Sequence, residues 1–98
     1  AYGLDIDYVI KTILESLNNS KLTYIRYSTE KSPKVRMTSM GASSIDFELL
    51  VWISENPDEN GIGSSNMSDF LIFVYKTLQA NNIEIPFPQM DIHLRKAL

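Results

Sequence analysis

The sequence contains no cysteine, and this absence excludes three kinds of chemistry. Disulfide bonds, thiolate nucleophiles and zinc sites with cysteine ligands all require that side chain. The chain also has one histidine, His93, which can hold a metal only if carboxylates supply the remaining ligands. The composition therefore predicts no metal or other cofactor and favours a reducing, cytosolic compartment.

An excess of positive charge is also missing. Nine lysine and arginine residues are interspersed with twelve aspartate and glutamate residues, so the net charge is −3 at pH 7. Without a basic stripe, the surface has no means of neutralising a phosphate backbone. Nucleic acid is therefore not an expected partner.

Long apolar runs are absent as well. The longest, residues 49–53 and 70–75, are far shorter than the ~20 residues that a membrane-spanning helix requires. The first five residues have no initiator methionine and no basic segment before an apolar stretch, so we expect them to be neither a signal peptide nor a natural start. We interpret the sequence as part of a larger protein, and this part is not expected to cross a bilayer.

What is present is typical of one small globular domain. Apolar residues make up 44% of the chain and charged residues 21%, with four glycines and four prolines. A domain of this length buries only about 60 to 65% of the surface that its unfolded chain exposes. We therefore expect residues 1–98 to form a single domain with a modest core.

Two segments have the periodicity of an amphipathic helix. In residues 5–18 apolar side chains recur every three or four positions, and Asp5 is the expected N-cap. Residues 67–78 repeat this spacing, and Asn81-Asn82 predicts the end of the helix because asparagine tolerates a left-handed backbone. The second stripe consists of Met67, Phe70, Leu71, Val74, Tyr75 and Leu78.

Three segments have the alternation of side chains between two faces that is typical of β-strands. Residues 35–39 form the first, Gly41 breaks the pattern, and residues 44–53 form the second. The third covers residues 90–95. In the second strand, one face carries Ile45, Phe47, Leu49, Val51 and Ile53, and the other carries Asp46, Glu48, Leu50 and Trp52. Residues 18–34 are predicted to be a long connection with room for a short edge strand, and residues 54–66 a surface loop.

The order helix, strand, strand, helix, strand predicts an α+β fold. It matches a ferredoxin-like split βαβ sandwich with the first strand truncated and two helices on one face of a mixed sheet. Because the first strand of that fold is central, its loss removes the usual neighbour of the last strand. We therefore expect the last strand to pair elsewhere, or the domain to associate with itself.

Three segments together resemble the C-terminal cytoplasmic domain of small-conductance mechanosensitive channels. They are residues 1–7, a Gly-Ala-Ser-Ser turn that enters a strand with a Val-Trp end, and a Pro-aromatic-Pro-Gln-Met-Asp segment. The connection around residues 24–33 is longer than in the family pattern. The signature residues of the last two segments are Gly41, Ala42, Ser43, Ser44, Phe47, Trp52, Pro86, Phe87, Pro88, Gln89, Met90 and Asp91.

The resemblance implies a channel of the bacterial inner membrane that opens under bilayer tension during osmotic downshock. Seven subunits would enclose a cytoplasmic vestibule with side portals, and this domain would form its lower wall. The expected partners are other copies of the chain, an upstream β domain and transmembrane helices. No residue of the family's domain is implied to do chemistry, and ion passage would depend on portal size and charge.

Four residues are candidates for an interface. Leu50 and Trp52 lie on the open sheet face, where packing against an upstream domain or neighbouring subunit is favoured over stacking of nucleic-acid bases and over a simply covered core edge. Ile72 and Phe73 lie off the stripe of the second helix, and contact with another subunit or burial by the long connection explains them equally well.

Several residues are of types that could bind a ligand or take part in catalysis, but each has a simpler structural interpretation. The turn at residues 41–44 resembles an anion nest, but a strand follows it rather than a helix, so a tight turn is favoured. Asp46 and Glu48 have the spacing of an acid and base pair, yet no cleft is indicated, and a solvated face is favoured. His93 is expected on the strand surface, and residues 86–88 are expected to form a rigid kink that aims the last strand.

Three classes of function are compatible with this fold. They are a channel vestibule domain, a ferredoxin-like regulatory domain that senses a small molecule, and an acylphosphatase-type enzyme. The enzyme requires a phosphate-cradling loop with an arginine, and Gly3-Leu4 offers none. We therefore predict that the chain is not an enzyme and favour the vestibule domain, with the regulatory domain as the alternative.

Overall fold

The computed structural model describes residues 5–26, 30–40, 45–54, 64–83 and 89–97. The elements follow the predicted order of helix, strand, strand, helix, strand. Their bounds are α1 (Ile6–Asn18), β1 (Lys34–Met40), β2 (Ile45–Ser54), α2 (Met67–Ala80) and β3 (Gln89–Ala97).

Helix α1 begins as its sequence predicts. The carboxylate of Asp5 accepts a hydrogen bond of 3.0 Å from the backbone N–H of Tyr8, which satisfies one of the unpaired donors of the first turn. Val9, Ile13 and Leu17 are completely buried on one side of the helix. The period of three and four therefore identifies the face that packs against the sheet.

The carboxyl end of α1 is held by a side chain from the connection that follows it. The last turn of α1 contains no basic residue. The guanidinium of Arg26 donates instead to the carbonyl oxygens of Asn18, Ser20 and Leu22, at 2.6, 2.9 and 2.8 Å. The positive charge thus lies where the helix dipole is negative.

The sheet has the order β1-β2-β3. Strand β1 pairs with β2 in antiparallel fashion, and β3 pairs with β2 in parallel, so that Val35, Leu49 and Ile92 lie in one row. The parallel pairing follows from α2, which connects the end of β2 to the start of β3 as a crossover. The last strand lies beside β2, which is one of the two expected outcomes.

Both helices pack on the same face of this mixed sheet, so the predicted α+β class is confirmed. Buried residues of α1 and α2 belong to one cluster with those of the strands. Among the described residues the cluster consists of Val9, Ile13, Leu17, Tyr24, Val35, Phe47, Leu49, Val51, Phe70, Val74, Leu78, Ile83 and Ile92.

Helix α2 has a cap that the sequence analysis did not identify. The side chain of Asn66 accepts from the N–H of Asp69, and the Asp69 carboxylate accepts from the N–H of Asn66, both at 2.9 Å. This reciprocal pair is a capping box. The predicted end is confirmed, since Asn82 has a positive φ of 54° after the last helical turn.

The connection between α1 and β1 contains no strand in its described parts, residues 19–26 and 30–33. A backbone hydrogen bond of 2.9 Å joins its described part to the sheet, from the N–H of Ile25 to the carbonyl oxygen of Trp52. Thr23 is tied to Ser65 by two further hydrogen bonds, which hold the connection against the start of α2. The edge strand for which the sequence left room is not found here.

Candidate interaction surfaces

The signature residues occupy different environments. Phe47 is 1% exposed and belongs to the core rather than to any surface. Residues 41–44 and 86–88 lie outside the described residues. Gln89 pairs with Asp46 across the parallel strands, where Met90 is partly buried and Asp91 is exposed.

The first candidate surface is the face of the sheet opposite the helices, which we call the open sheet face. Leu50 and Trp52 lie there because they alternate with the buried residues of β2, and both are partly buried. The ammonium of Lys31 lies 5.9 Å from the centre of the Trp52 ring. In register, Leu50 is flanked by Lys34 on β1, and Trp52 by Arg95 on β3. The predicted interface residues of the sheet therefore form an apolar centre beside positive charge.

The same face carries a cluster of charged groups that joins all three strands. Glu48 on β2 accepts from Arg36 on β1, with Nε and Nη2 at 2.9 and 2.8 Å from Oε1. On the other side, Nε2 of His93 on β3 lies 3.2 Å from Oε2 of Glu48. The side chain of Glu48 is only 17% exposed, whereas those of Arg36 and His93 are 71% and 47% exposed. The cluster connects the three strands and has the character of a structural contact.

Replacing Glu48 with glutamine is expected to loosen this connection. The free energy of unfolding should fall by about 1 kcal/mol, because an amide lacks the charge that faces the Arg36 guanidinium and the acceptor oxygen that faces the His93 ring. Urea denaturation measures the loss, and faster amide hydrogen exchange along β3 should accompany it. Glu15→Gln is the matched control, since its pair with Lys11 is 3.9 Å long and exposed at both ends. An equal change in both variants would contradict a specific role for Glu48.

The second candidate surface is the side of α2 that points away from the sheet, which we call the outer face of α2. Met67, Leu71, Ile72 and Tyr75 are 40, 47, 50 and 61% exposed there. Met67, Leu71 and Tyr75 belong to the apolar stripe identified in the sequence, but the structure leaves them exposed. Only part of that stripe is buried, because Phe70, Val74, Thr77 and Leu78 are the residues of α2 that are buried.

Ile72 and Phe73, both predicted to lie off the stripe of α2, differ in burial in the structure. Ile72 is half exposed on the outer face, whereas Phe73 is partly buried and packs against the core. Two exposed charged residues of α2 accompany these apolar side chains: Asp69, which belongs to the capping box, and Lys76, one turn after Ile72. On α1, exposed positions likewise carry charges, among them Lys11 and Glu15.

Sequence reasoning missed the cluster at Glu48 because it depends on strand register. Arg36, Glu48 and His93 are far apart in sequence and meet only once β1 and β3 are placed on either side of β2. Within the described ranges, no group of histidine and acidic residues is arranged to hold a metal ion. None of the helices described has both the length and the apolar character needed to span a membrane.

Comparisons with known proteins place the chain in a family. A family model described as "Mechanosensitive ion channel MscS, C-terminal" matches residues 1–85. A small-conductance mechanosensitive channel of Edwardsiella ictaluri is 37% identical over 98 residues, which are 100% of this chain and 31% of that protein. An uncharacterized MscS family protein of Buchnera aphidicola is 38% identical over 96 residues, or 98% of this chain and 28% of that protein.

A more distant relative covers the same region. The mechanosensitive channel MscK of Escherichia coli is 30% identical over 94 residues, which are 96% of this chain and 8% of that protein. No solved structure matches the chain. The chain thus spans less than a third of the first two relatives. The match over most of its length confirms the resemblance seen in the sequence, and the chain belongs to the MscS family of mechanosensitive ion channels.

Proposed function

We propose that this chain acts by assembly and not by catalysis. In this proposal it forms the lower wall of the cytoplasmic vestibule of a tension-gated channel, on the inner side of a bacterial plasma membrane. Seven copies enclose the vestibule, and the channel releases solutes during osmotic downshock. The names of the relatives and the family match support this assignment.

The observation that carries the proposal is the pair of apolar surfaces on opposite sides of the domain. The open sheet face presents Leu50 and Trp52, and the outer face of α2 presents Ile72 and Tyr75. Scattered apolar residues are ordinary on a soluble protein, but a contiguous patch of large ones is typical of an interaction site. A domain that builds a wall between two neighbours requires two such surfaces.

The chain covers less than a third of the relatives, so the membrane pore belongs to their remaining length in this proposal. The domain contributes to channel function by holding the ring together below that pore. Its portals and charges filter what reaches the pore, as in other channels where the lining decides passage.

A chimera tests this function. The segment of the Edwardsiella ictaluri channel that aligns with this chain is replaced by residues 1–98, since the alignment covers every residue. The chimera is expressed in bacteria that lack their own mechanosensitive channels. We expect survival of osmotic downshock comparable to that given by the unaltered channel, whereas a channel without the segment should protect less.

The chimera needs one further control. Its amount in the membrane is measured by immunoblot, so that a failure of expression is distinguished from a failure of function. A chimera that reaches the membrane as an oligomer and gives no protection would contradict the proposed role.

A further inference from the structure

We propose that Met37 is an oxidation site of this domain, where a peroxide converts the thioether to a sulfoxide and thereby loosens the edge of the sheet beside Phe47. The oxidant belongs to the class of hydroperoxides, of which hydrogen peroxide is the simplest. This inference goes beyond the proposed function, because it assigns a modification site and requires neither assembly nor a membrane.

Methionine carries all the sulfur of this chain, which has four methionines and no cysteine. Cysteine thiolates are the other sulfur groups that peroxides oxidise, and their absence leaves the thioethers as the sulfur groups on which such an oxidant acts. The product is reversible, because methionine sulfoxide reductases return the sulfoxide to the thioether. Peroxide chemistry at sulfur is therefore directed to methionine in this chain.

The reaction balances with the peroxide as the only other reactant. A lone pair of the Met37 sulfur attacks one oxygen of hydrogen peroxide, and the S–O bond forms while the O–O bond breaks. The sulfur is oxidised and the peroxide is reduced by the same pair of electrons. The proton of the transferred oxygen passes to the departing hydroxide, so that the products are a sulfoxide and a water molecule.

Met37 lies at one end of a row of side chains that crosses the sheet through Phe47. Met37 on β1 is the register partner of Phe47 on β2, and Met90 on β3 is its partner on the other side. Residues opposite each other on neighbouring strands project from the same face, with Cβ atoms about 5 Å apart. A thioether and an aromatic ring attract each other at such distances. The register therefore places a thioether on either side of Phe47.

Burial distinguishes these two thioethers. Phe47 is 1% exposed, and Met90 is partly buried and packs against the core. Met37 is 38% exposed, although its register partner is one of the most deeply buried residues of the chain. A peroxide in solvent therefore reaches Met37 more readily than Met90.

A sulfoxide is poorly suited to the position of Met37. Its polar oxygen requires hydrogen-bond donors, which the ring of Phe47 does not supply, and turning that oxygen toward solvent weakens the contact with the ring. The strand is already irregular here, because a register shift interrupts the pairing between Met37 and Ser39. Strand β1 also lies at an edge of the sheet among the described strands. Oxidation is therefore expected to release the end of β1 from β2.

Met67 offers a comparison at almost the same exposure. It is 40% exposed in the first turn of α2, where no strand pairing places it opposite a buried aromatic ring. Similar exposure predicts a similar rate of oxidation at Met67 and Met37. The different surroundings predict that only the sulfoxide at Met37 lowers stability. The pair thus separates accessibility from its consequence.

Peroxide treatment followed by peptide mass spectrometry and thermal denaturation tests the site. The parent chain carries Met40→Leu, which leaves three thioethers to compare. Met37→Leu and Met67→Leu are then made separately in this parent, since leucine keeps most of the volume and removes the sulfur. The melting temperature of each variant is measured before and after treatment with hydrogen peroxide, so that the effect of the substitution itself is subtracted.

The proposal predicts sulfoxide at Met37 and Met67 before Met90. Treatment should lower the melting temperature of the parent by roughly 4 to 8 °C, and that of Met67→Leu by as much. The melting temperature of Met37→Leu should change much less. Amide hydrogen exchange in β1 should become faster in the treated parent, and a methionine sulfoxide reductase should restore both the original mass and the original melting temperature.

Three results would overturn the inference. A Met37 that stays unmodified while Met67 is fully oxidised would show that its thioether is shielded from the peroxide. A Met37 sulfoxide with an unchanged melting temperature would show that the sheet accommodates it beside Phe47. An equal loss in Met37→Leu and in the parent would place the destabilising oxidation at another methionine.

Discussion

Replacement of Phe47 with alanine is expected to lower the free energy of unfolding by about 3 to 5 kcal/mol. Phe47 is 1% exposed and is among the largest fully buried side chains. It lies on the central strand between Met37 and Met90, so neither neighbouring strand can close the cavity without breaking its register. A domain of this size has roughly 5 to 15 kcal/mol in total. The variant should therefore be close to unfolding at 37 °C.

Thermal denaturation followed by circular dichroism measures this effect. A loss of 1 kcal/mol shifts the melting temperature of a small domain by roughly 4 to 8 °C, so a shift of about 12 °C or more is expected. Phe47→Leu is the matched control and should lose much less, because it keeps most of the buried volume. A shift for Phe47→Ala no larger than that for Phe47→Leu would contradict a tightly packed core at this position.

Replacement of Arg26 with methionine is expected to cost about 2 kcal/mol of unfolding free energy, which is large for a residue in a connection. Its guanidinium donates to several carbonyl groups at and beyond the end of α1 and lies 4.3 Å above the ring of Tyr24. Methionine keeps much of the apolar stem but leaves partly buried carbonyl oxygens without their donor. It also removes the positive charge that faces the negative end of the helix dipole.

Arg26→Lys separates charge from geometry. Lysine retains a cation near the end of α1, but its ammonium cannot reach several carbonyl groups in one plane. We expect it to recover less than half of the loss in a urea denaturation series. Full recovery by lysine would show that charge alone stabilises this end of the helix. No loss in Arg26→Met would show that water replaces the guanidinium without cost.

The regular elements could be predicted from the sequence because each follows from local periodicity. The spacing of Val9, Ile13 and Leu17 identifies the buried side of α1, and the alternation through Phe47 and Leu49 identifies the core side of β2. These patterns depend on the chain geometry of a helix or a strand, and no knowledge of tertiary contacts is needed to read them.

The capping box of Asn66 and Asp69 is local and could have been predicted from the sequence. The other features that sequence reasoning missed depend on tertiary placement. Arg26 follows α1 by eight residues and stabilises it only because the connection folds back over the helix end. Leu71 and Tyr75 have the spacing of core residues, yet the sheet contacts only one side of α2 and leaves them exposed. Periodicity defines an apolar stripe, but the neighbouring elements decide how wide a part of it is buried.

The candidate surfaces, too, could be predicted from the sequence only in part. Leu50 and Trp52 were predicted to lie opposite the core face, and strand alternation places them there. Their position among Lys31, Lys34 and Arg95 required the pairing of β2 with its neighbours and the path of the connection. The separation of Ile72 from Phe73 likewise required the orientation of α2 on the sheet. In the proposed function, neighbouring copies of the chain cover these surfaces.

Patch-clamp recording of the Edwardsiella ictaluri chimera under graded suction tests the proposed function, because it measures channel activity itself. We expect currents that open with membrane tension, and a lower open probability when Ile72→Asp and Trp52→Asp disturb the two apolar surfaces. A chimera that is inserted and oligomeric but gives no current up to the tension at which the patch ruptures would contradict the assignment of this chain to the wall of a working channel.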